Sequence, residues 1–296
     1  MNLSSHHTPK NASCLRCVAV KEIMNYRHIY HAGNFADAHK HLILMMVLEY
    51  LQQKEKGLFV LDAFAGIGLY DLTREEPQKT GEYLDGITKI MAEPAANEDL
   101  VKFQKLINLF WGGQQYPGSP IIAATLLRAQ DRLIANELHP EDSETLKHHL
   151  RGFKDVYVTV EDAYQSIRAH IPPVERRGIV LIDPPFEKPD EFEMLVKQMG
   201  EWKKRWATGC FMIWYPIKAG QPIRELHRAA EDLGLNRTWV SEILLRDRTL
   251  SPGLNGAGIL MFNTPFGIPE RIESLSTEFC NKLGQGWIEN KFLVND

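Results

Sequence analysis

Apolar residues along this chain fall into two alternating rhythms. Short apolar runs rich in β-branched and aromatic residues occur at Leu58 to Asp62, Arg132 to Glu137, Val156 to Val160, Gly178 to Ile182 and Gly209 to Tyr215. They have the length and composition of strands buried on both faces. Stretches with apolar spacings of three and four lie between them and predict helices over 121–130, 141–150, 189–205 and 221–233, with a further one after Val160. Strands alternating with helices specify an α/β chain built on a mostly parallel sheet. Two final strands, Thr238 to Leu245 and Gly258 to Phe262, are joined by a Gly- and Asn-rich loop, which predicts a closing pair with one antiparallel strand. A terminal helix is expected over 270–284.

Two regions stand outside this rhythm. Helical spacing runs from Phe35 to Leu51, with Asn34 placed to cap it. Between Leu69 and Gln115 no strand-like run occurs, but Leu84, Ile87 and Met91, then Leu100, Phe103, Leu106, Leu109 and Phe110, have helical spacing. This predicts a small helical insertion over about 69–115, closed by Gly112-Gly113. Tyr116-Pro-Gly-Ser-Pro120 reads as a tight turn, with Ser119 as N-cap and Pro120 at the first helical position. Residues 1–23 show no periodicity and are expected to be a disordered extension, leaving 24–296 as one domain.

Candidate chemistry gathers where strands end. Asp62, Glu137, Asp162 and Asp183 fall at the carboxyl ends of four strands, and in an open α/β sheet those ends line one ligand crevice. After Asp62 comes Ala-Phe-Ala-Gly66-Ile-Gly68, whose glycines permit close approach of backbone to a ligand. A dinucleotide fingerprint requires a third Gly or Ala where Asp71 stands, and an acid about 20 residues on, whereas the next strand-end acid is Glu137. A nicotinamide-dependent oxidoreductase is therefore disfavoured. After Asp183, Pro184 and Pro185 offer carbonyls without N–H groups and Phe186 offers a ring. A carboxylate, a carbonyl and a ring together suit a flat heterocycle bearing an exocyclic NH₂.

The stretch Tyr26-Arg-His-Ile-Tyr-His-Ala-Gly-Asn34, with Lys40 and His41 beyond it, concentrates cationic and stacking groups. A metal site there is disfavoured because His39 and His41 are two apart and face different sides of a helix. Cys14 and Cys17 have zinc-knuckle spacing without two matching further ligands, so no metal is expected, and Cys210 and Cys280 are solitary.

Composition narrows the class only slightly. The formal net charge is −4, from 34 Lys+Arg against 38 Asp+Glu, so contact with a polyanion must come from a local basic patch. The longest apolar run, Leu42 to Leu48, is far too short to span a bilayer, and no signal-peptide core is present. A cytoplasmic protein with no membrane association is expected.

Asp-x-Phe-x-Gly-x-Gly at 62 to 68 resembles motif I of S-adenosylmethionine-dependent methyltransferases. Asp183-Pro-Pro-Phe186 resembles the [D/N/S]-P-P-[Y/F/W] motif of enzymes that methylate amino nitrogens. With Tyr-Arg-His-x-x-His-Ala-Gly-Asn at 26 to 34, Tyr-Pro-Gly-Ser-Pro at 116 to 120 and Glu-Leu-His-Pro at 137 to 140, the chain from Met24 onward resembles the RlmJ family of bacterial 23S ribosomal RNA adenine-N6 methyltransferases. The resemblance implies a Rossmann-like class I methyltransferase sheet, S-adenosylmethionine as cofactor, 23S rRNA as partner and a monomer without an obligate protein partner. It implies Asp183 as the catalytic acid, and Tyr26, His28, Pro184 and Phe186 at the substrate. It places Lys40, His41, Asp62, Phe64, Gly66, Ser119, Glu137, Asp162, Ala163 and Asp183 at the cofactor. Three positions depart from the family: Phe64 stands for a histidine, Ala163 for a glycine and Phe186 for a tyrosine. Arg27, Lys40, Arg176, Arg177, Arg246 and Arg248 are expected near the crevice mouth as phosphate contacts. The rivals are N2-guanine rRNA and N6-adenine DNA methyltransferases, which share Asp-Pro-Pro-Phe, and a non-catalytic RNA-binding module.

Overall fold

A computed structural model describes residues 27–295. A short 3₁₀ turn, His28–Tyr30, leads into α1 (Phe35–Leu51), and Asn34 caps it by accepting from the Asp37 N–H at 2.9 Å. Every residue of α1 from Phe35 to Val47 is buried, its polar residues included, because the helix packs between the sheet and the insertion. Polar side chains there serve the interior rather than a solvated face.

The chain then runs through β1 (Phe59–Asp62), β2 (Leu69–Asp71), α2 (Glu75–Thr80), α3 (Ile87–Ala92), α4 (Glu98–Trp111), β3 (Gln115–Pro117) and α5 (Ser119–Leu126). It continues with β4 (Arg132–Asn136), α6 (Pro140–His149), β5 (Val156–Thr159), α7 (Ala163–His170), β6 (Gly178–Ile182), α8 (Glu191–Arg205) and β7 (Cys210–Ile217). It ends with α9 (Ile223–Asp232), β8 (Thr238–Leu244), β9 (Gly256–Phe262), α10 (Ile268–Leu283) and β10 (Trp287–Val294).

Among the described residues eight strands form one sheet in the order β10-β8-β9-β7-β6-β1-β4-β5. From β5 to β7 every pairing is parallel, as the alternating strand and helix pattern predicts. The β7–β9, β9–β8 and β8–β10 pairings are antiparallel, so the antiparallel edge is larger than one strand. Strand β10 escapes sequence reading because its residues alternate between exposed and half-buried, as an edge strand's do.

The stretch after β1 carries α2 to α4 on a two-stranded base, where Leu69 pairs with Pro117 and Asp71 with Gln115. The expected absence of strands between 69 and 115 is corrected by β2, too short to show a period. Ile87, Ile90, Leu100, Phe103 and Ile107 of this region are buried in the same core as α1. The Ile87 N–H donates to the Gly33 carbonyl at 2.8 Å, and a Cβ at Gly86 would lie 2.3 Å from that oxygen. Only glycine lets the insertion and the entry to α1 approach so closely.

A second core lies on the other face of the sheet, where α8 brings Trp202 against Phe211, which stacks on Phe262 at 4.6 Å. Cys210 and Cys280 are buried, and among the described residues no helix is long and apolar enough to cross a membrane.

Candidate active site

From β1 the chain adds β4 and β5 on one side, then returns to add β6 and β7 on the other. The carboxyl ends of β1 and β6 therefore diverge into a crevice, which is where such sheets bind ligands. A cleft of about 230 Å³ opens there. Its walls are the Ala63–Ile67 turn after β1, the start of α5, the ends of β4 and β5, Asp183 and Pro185 after β6, and His28, Lys40 and His41.

Asp183 does not meet the cleft as a bare carboxylate. The Lys40 ammonium, 3% exposed, reaches from α1 to hydrogen-bond its Oδ2 and to pair with Asp37 Oδ1 at 2.9 Å. Burial opposes the Lys40 charge, but the two carboxylates overcome it and hold its pKa above the ordinary lysine value. Asp37 Oδ2 in turn accepts the Gly33 N–H at 2.9 Å and lies 2.9 Å from His28 Nε2. Although burial works against it, the charges of His28 and Lys40 hold the Asp37 carboxyl well below the usual range.

The residues expected at the cofactor converge on the opposite wall. Glu137 accepts the Gly66 N–H at 2.9 Å on one oxygen and the His139 N–H at 2.7 Å on the other, and burial pushes its pKa up. Gly66 has φ +61°, and a Cβ there would meet the Tyr70 hydroxyl at 2.3 Å. Asp162 caps α7 by accepting the Gln165 N–H at 3.0 Å, and Ala163, Phe64 and Ser119 line the cleft with it. Gly118, not Ser119, is the N-cap of α5, so Ser119 lies inside the first turn.

Asp62 lies beneath the cleft floor at 1% exposure, and neither carboxylate oxygen meets a donor in good hydrogen-bond geometry. Burial pushes its pKa up to about 6, with the nearby Ser119 hydroxyl only partly offsetting this. His41 is likewise buried, with Nδ1 2.7 Å from the Tyr116 hydroxyl and Nε2 unpartnered. Burial, helped by the Lys40 charge, brings its pKa down to about 3, so the ring is neutral. His39 turns the other way, to Ser241 at 3.0 Å.

These features fit S-adenosylmethionine. Its cationic methionine end would relieve the orphaned Asp62 carboxylate, and its carboxylate would meet Lys40. Its ribose hydroxyls would meet Glu137, and its adenine the Asp162 and Ala163 end of the wall.

Several expected site residues sit elsewhere. Phe186 is half-buried rather than an open face, with its ring 4.9 Å from Phe192 and 5.8 Å from Trp214. Pro184 is buried, and it is Pro185 that borders the cleft. Lys40 is too buried for a phosphate contact. Arg177 precedes β6, at the far pole of the sheet, and donates to the Leu51 carbonyl at 2.7 Å; Arg176 lies beside it. Arg27 pairs with Asp142 at 2.5 Å and Arg248 with Glu242 at 2.6 Å, leaving Arg246 as the exposed arginine of that group on the cleft side. Tyr26, Cys14, Cys17 and the 1–23 extension lie outside the described residues.

Sequence reading missed Asp37, Tyr116 and the Tyr164–Glu191 pair, whose hydroxyl and carboxylate are 3.1 Å apart at the cleft wall. An acid in a helix's first turn is ordinary, and nothing local marks Asp37 as buried.

The family model for "Ribosomal RNA large subunit methyltransferase D, RlmJ" matches residues 55–291. The chain is 39% identical over 257 residues to Ribosomal RNA large subunit methyltransferase J of Haemophilus influenzae, covering 86% of this chain and 92% of that one. It is 35% identical over 264 residues to the protein of the same name from Escherichia coli, covering 88% and 94%. A crystal structure of a Legionella pneumophila protein matches with a TM-score of 0.80 at 30% identity, covering 88% of this chain and 98% of its own. The chain belongs to the RlmJ family of methyltransferases, whose methyl donor is S-adenosylmethionine.

Proposed function

We propose that this protein methylates large-subunit ribosomal RNA, and that its target is the N6 amine of an adenine in 23S rRNA. The relatives' names support the ribosomal substrate. The observation that carries the choice of an amino nitrogen is Asp183 at the carboxyl end of β6, beside the cleft, with Pro184, Pro185 and Phe186 directly after it.

The target base leaves its stack to enter the cleft, since its N6 is out of reach within a helix. Asp183 Oδ2 faces Lys40, so its other oxygen is the one that accepts from the amine, with a proline carbonyl taking the second hydrogen. Holding both hydrogens turns the nitrogen lone pair out of conjugation and toward the cofactor side of the cleft. Bound S-adenosylmethionine supplies an electrophilic methyl group. The chain's contribution is mainly alignment for an in-line displacement, with Asp183 as the nearest acceptor for the released proton. Lys188, exposed at the cleft, and Arg246, exposed just after β8, are placed for phosphate, which makes RNA binding salt-sensitive.

The test is methyl transfer from labelled S-adenosylmethionine to unmodified 23S rRNA, with the product nucleoside identified. N6-methyladenosine supports the reading. N2-methylguanosine would keep the enzyme class and overturn the target, and RNA binding without transfer would favour a non-catalytic module.

A further inference from the structure

The buried carboxylate of Asp37 is the hub of the charged cluster beside the cleft. Its Oδ1 faces Lys40 at 2.9 Å; its Oδ2 takes the Gly33 N–H at 2.9 Å and lies 2.9 Å from His28 Nε2. Its own N–H is held by Asn34 at 2.9 Å, so the residue is fixed through both backbone and side chain. Asn34 already caps α1, and an exposed acid would serve the helix dipole as well, so helix formation alone does not call for burying Asp37 at 3% exposure.

What the burial accomplishes is seen one turn later. An ammonium has three N–H donors in a compact head on a flexible stem. Two of those of Lys40 are taken by Asp37 and Asp183, and Lys40 also lines the cleft, which leaves one donor for a ligand there. With Asp183 alone as partner, the flexible stem would let the ammonium follow that carboxylate. Asp37 supplies a second anchor on rigid backbone, so the cation's position is set by α1.

We propose that Asp37 is a positioning residue for methyl transfer. It holds the Lys40 ammonium at one point from which Lys40 steadies Asp183 and presents its remaining N–H to the cofactor's carboxylate. The inference rests on the methyl-transfer reading above. It makes the start of α1, which the insertion buttresses through Gly86 and Glu82, part of the support of the catalytic acid.

The experiment is a double-mutant cycle in the full chain, Asp37→Asn, Lys40→Met and the pair, assayed for kcat and for both KM values on unmodified 23S rRNA. Asp37→Asn is expected to lower kcat roughly tenfold to a hundredfold and to raise KM for S-adenosylmethionine, with KM for RNA within about threefold. In the Lys40→Met background the same change is expected to have almost no further effect on kcat, because Asp37 acts through Lys40. If the two losses multiply instead, or Asp37→Asn leaves kcat unchanged in a folded protein, the inference is overturned while wild-type activity keeps the methyl-transfer reading intact. A wild type without transfer overturns that reading and this one together. Should Asp37→Asn fail to fold, Asp37→Ser, which keeps an acceptor for the Gly33 N–H, enters the same cycle with the same expectations.

Discussion

Asp62 and Asp183 end neighbouring strands of one sheet, yet their surroundings are opposite. Strands β1 and β6 pair directly, with Asp62 in register with Leu181. Asp62 is buried beneath the cleft with no well-formed hydrogen bond on either oxygen, while Asp183 borders the cleft and is matched to Lys40. Topology gives both carboxylates the same address. The residues that come after each strand, and those that α1 lays beside it, decide the role. Asp62 is buried and followed by Ala63-Phe-Ala-Gly66; Asp183 is only half-buried, and with Pro185 it borders the cleft. One carboxylate is therefore suited to electrostatics at a distance, and the other to direct contact with a substrate.

The sharpest way to break this comparison is Asp183→Asn. It keeps the shape and removes an acceptor and a charge, and turnover on 23S rRNA is expected to fall about a thousandfold, with cofactor still bound. Asp62→Asn is expected to leave turnover within about tenfold at saturating cofactor. Single-turnover rates for the two variants check this, and comparable losses would erase the distinction between the two strand ends.

Next in size is Glu137→Gln, measured by cofactor binding. Its two oxygens accept the Gly66 and His139 N–H groups, so the amide can satisfy only one of them and must turn an NH₂ toward the other. One of the two N–H groups then loses its acceptor, which loosens the Gly66 turn or the start of α6 beside it, and cofactor Kd is expected to rise about tenfold or more. An unchanged Kd would mean that the turn holds its shape without Glu137.

Much of this arrangement is legible in the sequence, for physical reasons that differ by residue. Strands β1, β4 and β6 are buried on both faces, so their apolar runs are unbroken, and the acids at their ends mark where the sheet stops. Asn34 as a cap is local chemistry and reads directly. Lys40 does not, because a lysine reads as a surface cation until its partners are known. Those partners are Asp37, one turn away, and Asp183, 143 positions away. Ser119 misleads because Ser before Pro is a good capping pair, yet the cap lies one residue earlier, at Gly118, and the helix starts with Ser119 itself. The aromatic packing of Phe186 depends on Trp214, from a strand two elements later, and no spacing encodes that.

Asp62 also sharpens the comparison through pH. Burial raises its folded pKa to about 6, above an ordinary aspartate value of 3.8, so the folded state favours the protonated form. Stability from this group is therefore full below the unfolded pKa and is lost as pH rises from about 4 to about 6. The loss amounts to roughly 2–3 kcal/mol. Denaturant titrations of wild type and Asp62→Asn across that window should diverge by this amount, the variant giving the flatter curve. Saturating S-adenosylmethionine should narrow the gap if its cationic end reaches the Asp62 carboxylate, and a gap insensitive to cofactor would remove Asp62 from the binding site.

The smallest expected effect concerns the ring three residues beyond Asp183. Phe186 is a non-glycine residue with φ +51°, an uncommon conformation that persists only where its surroundings hold it. The holding comes from Phe192 and Trp214, with ring centroids at 4.9 and 5.8 Å. Phe186→Tyr adds a hydroxyl at the tip of the ring. If that tip points to the cleft, the added oxygen meets solvent or substrate, and kcat and KM for RNA should stay within about threefold of wild type with the melting temperature little changed. If the tip points into the aromatic cluster, the hydroxyl is buried without a partner, at a cost of about 1–3 kcal/mol of stability. Thermal melts beside RNA kinetics separate the two. A folded, active Phe186→Tyr keeps the ring as a wall for the target base. A destabilised one would give the ring to the core and leave the proline carbonyls and Asp183 to hold the base alone.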